Sequence, residues 1–219
     1  MKTTSAAIGK FGYWCGVVAA ASTLAFVVAQ AAQVVGVLQP PLDGILIYAT
    51  SLCIVLPFLL EMLALHHLTE PADRFWTHAA LVFTTIYAVF VIANYVVQLA
   101  TVIPSDLRGA GDGIRILEQT PHSLFWDFDA IGYIAMGLAT LMAIPALGDS
   151  GPERRAKRSF LAHGLVTPLI AFVYFYPTFS ETLLLVGAPW AITAPLFMAM
   201  LAIALRRRAG ITPPDGSGR

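Results

Sequence analysis

Charge is what this 219-residue chain has least of. Only 12% of its residues are Asp, Glu, Lys or Arg, against about 25% in a soluble domain. A chain so poor in charge cannot cover itself with polar surface in water, so its expected solvent is lipid. Its 13 basic and 13 acidic residues cancel, which leaves no basic field and excludes nucleic acid as a partner. Cysteine is scarce too. Cys15 and Cys53 both fall inside apolar runs and no CxxC pair points to redox work, so they read as small buried hydrophobes. A Walker A loop, a GxSxG elbow, a Rossmann fingerprint and an HExxH helix are all missing. Their absence removes the familiar signatures of ATP-driven pumping, hydrolysis, dinucleotide binding and zinc proteolysis.

What remains is apolar length. The chain is 58% hydrophobic, with a mean hydropathy of +0.74. Six runs are long enough to cross a hydrocarbon core, which takes about 20 residues. They extend over about residues 11–38, 42–65, 76–103, 120–147, 159–177 and 180–205. The expected fold is therefore all-α: a polytopic membrane protein built as one bundle of six transmembrane helices over residues 1–208. Residues 209–219 read as a disordered cytoplasmic tail. The first run is longer than the apolar core of a signal peptide, so it reads as a span rather than a cleaved leader. Thr120-Pro121 and Ser180 are the expected N-terminal ends of the fourth and sixth helices.

Arginine and lysine orient the spans. One face would hold Lys2, Lys10, Arg74, Arg154, Arg155, Lys157, Arg158, Arg206, Arg207, Arg208 and Arg219; the other would hold Arg108 and Arg115. That bias places both termini in the cytoplasm of a cell with its plasma or inner membrane as the host bilayer. The loop from Pro104 to Thr120 lies outside on this topology. Its Ile114–Gln119 stretch reads as a short amphipathic helix.

Polar residues on an otherwise apolar helix should face the bundle interior. Thr77, Thr84, Tyr87, Asn94, Gln98 and Thr101 share one stripe of the third helix. Asp129, Tyr133, Met136 and Thr140 share one on the fourth, and His163, Thr167, Tyr174 and Thr178 one on the fifth. Gly16, Ala20, Thr23, Gln30 and Gln33 mark the first, where Gly12-x-x-x-Gly16 is also a close-packing signal. By depth, Gln30, Gln33, Asn94, Gln98, Asp127, Asp129, Tyr133, Tyr174 and Glu181 gather toward the outer side. They form the candidate site: a polar cavity with acidic character and no intramembrane cation, suited to a cation or an amine-bearing solute. Asp129 is the leading acid. Asp127 also fits the headgroup layer, and Glu181 also fits a helix-start carboxylate.

Glu61, His66, His78 and His163 form a second group toward the cytoplasmic side, and such side chains are metal or haem ligands elsewhere. Their spacing matches no diagnostic pattern, so no cofactor is assigned. Pro57, Pro145, Pro168, Pro189 and Pro195 interrupt spans. The Pro189–Pro195 segment reads as a kink, with a broken helix as the alternative. The best functional expectation is a small-solute or cation transporter or binding protein. A membrane-embedded metal or haem enzyme and an accessory subunit with a structural polar core are the alternatives. A homo-oligomer stays open.

Overall fold

The computed structural model describes residues 2–210, the side chains of Lys2 and Thr3 excepted. Most of the expected tail, Ile211 to Arg219, lies outside the described residues, as does the Lys2 side chain counted in the charge bias. The described residues are helical with no strand, and six helical segments are long and apolar enough to cross a membrane.

Helix α1 covers Lys2–Val34 and α2 covers Leu42–His67. The turn between them contains Gly36 at φ +74° and the cis Pro40–Pro41 bond. After a 3-10 turn at Pro71–Asp73, α3 covers Arg74–Val97. It then widens into a π turn over Gln98–Val102 and resumes as α4, Ile103–Leu107. Pro104 explains the widening. It offers no N–H, and its ring would strike the carbonyl four residues back, at Ala100, so the ladder opens there rather than stopping. The third span therefore continues past Pro104, where the sequence alone ended it. The following loop contains a 3-10 helix at Gly111–Leu117 in place of the amphipathic helix expected at Ile114–Gln119.

Helix α5 covers Leu124–Ala143 and starts later than expected. Its cap is Ser123, whose Oγ accepts from the Trp126 N–H at 3.2 Å. Thr120 cannot be the cap because His122 takes a left-handed φ of 65°, which no helix accommodates. Helix α6, Gly151–Phe175, starts earlier than Ser159. Pro152 suits its first turn, Glu153 complements the N-terminal dipole, and Arg154–Arg158 are mostly good helix formers. It ends at Tyr176, which Pro177 holds extended at ψ 129°. Helix α7, Glu181–Gly187, begins at the expected Ser180 cap. Ala188 and Pro189 separate α7 from α8, Trp190–Arg208, yet both keep right-handed helical dihedrals, so the last span kinks there rather than breaking. Pro195 runs inside α8 without breaking it.

The long helices close a ring in the order α1, α2, α3, α5, α6, α8 and back to α1, each antiparallel to the next in sequence. Aromatic side chains fill its middle. Phe58 packs edge-on against Tyr87 and Phe197, and Tyr133 against Trp190. At the end holding the termini, Arg208 Nε and Nη2 donate to the two Glu153 oxygens at 3.0 Å each, and Nη2 also donates to the Ala146 carbonyl. Nη1 reaches the Leu68 carbonyl at 3.5 Å. One guanidinium thus ties α8 to the ends of α2, α5 and α6.

Outward positions are as apolar as the core: Val28, Leu56, Val89, Leu165, Leu185 and Ile192 are all exposed. Inside, the helices approach through missing side chains. A Cβ at Gly137 on α5 would overlap Thr167 on α6. Gly137→Ala should therefore destabilise the bundle by about 1–3 kcal/mol, the usual cost of overpacking. Thermal unfolding in detergent measures this, with Gly113→Ala as the control, since a Cβ there meets nothing within 4 Å.

Candidate functional site

Asp129 sits in the first half of α5, facing inward and 4% exposed. Three donors reach its carboxylate. Tyr95 donates to Oδ1 at 2.7 Å, Tyr174 donates to Oδ2 at 2.6 Å, and the Asn94 amide approaches Oδ1 at 3.5 Å. Tyr95 and Tyr133 also share a hydroxyl–hydroxyl bond of 3.1 Å. The group draws on α3, α5 and α6, so it forms only when the ring is assembled. No lysine or arginine pairs with this acid among the described residues.

Helix spacing creates the convergence. On α3, Tyr87, Val91, Tyr95 and Gln98 follow one another at three or four residues, and all are buried. On α5, Asp129, Tyr133, Met136 and Thr140 do the same. Gly132 allows α5 close to α3, since a Cβ there would meet the Val91 side chain. Aromatic rings form the walls. Tyr48 lies 5.3 Å from Tyr95, and Trp126 lies 4.6 Å from Tyr174, centroid to centroid. The Trp126 indole N–H donates to the Tyr174 carbonyl at 3.3 Å.

The 3-10 loop covers this site, and Gln98 latches it. Gln98 Nε2 donates to the Leu117 carbonyl at 2.8 Å, and the Gln119 N–H donates to Gln98 Oε1 at 3.2 Å. The latch sits on the first residue of the π turn. The Gln119 side chain faces Asp129. Two buried amide oxygens here, Asn94 Oδ1 and Gln119 Oε1, have no hydrogen-bond partner. Both amides turn toward the Asp129 carboxylate, so they surround the acid with donors.

The structure thus brings together Asn94, Asp129, Tyr133 and Tyr174 of the candidate residues, with Gln98 as the loop's anchor. It places Gln30 and Gln33 in a separate chain. Gln30 donates to Gln33 at 2.7 Å, and Gln33 donates to Asp43 at 2.8 Å. Tyr48 stands within electrostatic reach of both Asp43 and Asp129. Asp127 and Glu181 are exposed. Tyr95, Gln119 and Asp43 belong to the site or its border, yet the sequence reading passed over them. Tyr95 was within reach of the spacing argument, being four residues after Val91 and three before Gln98. Gln119 was not, because its position depends on how the loop folds.

The second group is dispersed. His66 Nδ1 pairs with Thr77 Oγ1 at 2.9 Å, and its ring lies 5.8 Å from that of exposed His78. His163 pairs through Nδ1 with Thr193 Oγ1 at 3.1 Å and packs on Phe197. Glu61 is fully buried and meets none of them in a bond. Among the described residues, no three His, Cys, Asp or Glu side chains stand close enough to hold a metal ion together. Two surface clefts open at the end holding the termini. One, of about 340 Å³, is lined by Ser150, Glu153, Arg207 and Arg208; the other, of about 310 Å³, by Lys10, Tyr13, Trp14 and Arg206.

Comparison with known proteins finds no matching family model, no matching curated protein and no matching solved structure.

Removing the latch tests the loop's role as a cover. In Gln98→Ala, amide hydrogen exchange across Gly111–Gln119 should rise while exchange in the middle of α5 stays low, read by mass spectrometry.

Proposed function

We propose that this chain is a multi-pass membrane protein that binds and carries a small cationic solute, an organic ammonium, at Asp129. Six apolar helices and an apolar exterior support the membrane reading. The proposed orientation puts both termini in the cytoplasm, because Arg154, Arg155, Arg158, Arg206 and Arg207 cluster at their end of the bundle. The Asp129 site then lies toward the other side, beneath the 3-10 loop.

The observation that carries the solute class is the oxygen-rich, cation-free character of the site. An ammonium group supplies the N–H donors that Asn94 Oδ1 and Gln119 Oε1 lack, and its charge neutralises Asp129. The hydroxyls of Tyr95, Tyr133 and Tyr174 converge on or beside the carboxylate and add oxygen acceptors for an ammonium group. A bare divalent ion is the poorer fit, since it would find one carboxylate where such sites commonly assemble several. The kinked last span, the π turn and the latched loop are the parts that would move as solute enters.

Purified protein in liposomes should take up radiolabelled methylammonium with saturation. Asp129→Asn should lose this uptake, because deleting one partner of a buried charge pair costs about 3–5 kcal/mol, a hundredfold or more in affinity. Uptake by the variant equal to wild type would refute the assignment. Single cysteines at Ser150 and Gly113, in a chain lacking Cys15 and Cys53, test orientation. A membrane-impermeant maleimide added to intact cells should label Gly113→Cys and spare Ser150→Cys.

A further inference from the structure

Glu61 is a second buried acid, and its surroundings differ from those of Asp129 in every respect. It is 0% exposed, and neither carboxyl oxygen has a hydrogen-bond partner. Its neighbours across the seam are Gly16 on α1 and Ala202 on α8. A Cβ added at Gly16 would overlap both Glu61 Oε1 and the Ala202 methyl. The Gly12-x-x-x-Gly16 spacing therefore makes room for this carboxyl as well as for helix contact.

A carboxyl kept only for packing would be replaced without loss by methionine, which lies beside it at Met62 and occupies the core again at Met136 and Met198. An acid left unpaired in an apolar seam carries a desolvation cost that packing alone does not offset. The groups facing it are few. Cys15 on α1 is within electrostatic reach. His66, one turn further along α2, is turned away to Thr77. No lysine or arginine bonds to it among the described residues. With Gly16 and Ala202 in contact there is no space for a hydrated ion, and the cation that fits is a proton.

The nearest surface opening lies toward the chain ends, and Gly12 packed against Ala64 and Leu205 separates it from the carboxyl. The cleft of about 310 Å³ between Lys10, Tyr13, Trp14 and Arg206 opens on the same α1–α8 seam. Tyr13 lies three residues before Gly16, and Arg206 lies four after Ala202, so the cleft is about one helical turn from the carboxyl. Phe58, Tyr87 and Phe197 stand between Glu61 and the Asp129 site.

We propose that Glu61 is a proton-exchange site, loaded and emptied from the end that holds the termini. The proposal rests on the membrane-spanning reading above and is independent of what Asp129 binds. Its test uses the full chain in liposomes with dicyclohexylcarbodiimide, an apolar reagent that reaches buried acids. The protonated carboxyl adds across one C=N bond, and the O-acylisourea rearranges to an N-acylurea that retains the whole reagent. Mass spectrometry should find this adduct on the peptide containing Glu61, forming more slowly as pH is raised. It should vanish in Glu61→Gln and persist in Asp129→Asn. No adduct on wild-type Glu61 at any pH, or a rate indifferent to pH, overturns the proposal without recourse to a variant. Methylammonium uptake in the same vesicles separates the two readings: lost uptake with labelling intact counts against Asp129 alone.

Discussion

A polar group inside an apolar bundle must find its partner within the protein, and the arrangement of this chain follows from that constraint. Asp129 shows it directly. Its carboxylate is stabilised by hydroxyl and amide groups from two other helices, so α3, α5 and α6 are held in one register. Shifting any of them by a turn would strand an acid in hydrocarbon-like surroundings. The constraint also picks out the exceptions. Asn94 Oδ1, Gln119 Oε1 and both oxygens of Glu61 are among the buried atoms that have no partner, and they are the ones on which the two proposals above rest.

These exceptions fall on two sides of an aromatic layer. The first set is oxygen-rich, lined by rings and covered by a loop with a single-residue latch. The second is one carboxyl in a seam of small residues beside a basic cleft. The two proposals follow this division, an organic cation at the first set and a proton at the second. The aromatic layer of Phe58, Tyr87, Tyr133, Phe197 and Trp190 keeps the two apart.

Much of the plan was legible in the sequence, for a physical reason. Six apolar runs leave the backbone no choice but helix, and a polar stripe can only turn inward. Thr77, Thr84, Tyr87, Asn94 and Gln98 are all buried, as their spacing required. Asp129 with Tyr133 followed by the same logic. Features that depend on backbone detail were hidden. Ser123 displaced Thr120 as a cap because His122 is left-handed, and Pro104 opened a π turn instead of ending a helix. The bond from Gln33 to Asp43 closes across a turn whose path no periodicity encodes. Loop 111–119 belongs with these, since its placement over Asp129 arises from Gln98 reaching two backbone groups.

The Arg208 clamp has an electrostatic consequence. One guanidinium pins four helix ends at one side of the bundle, while at the other the Asp129 carboxylate joins α3, α5 and α6. The two ends are thus fastened by different chemistry, an ion pair between Arg208 and Glu153 at one and neutral donors around a lone carboxylate at the other. Dissolved salt weakens the first kind of fastening far more than the second.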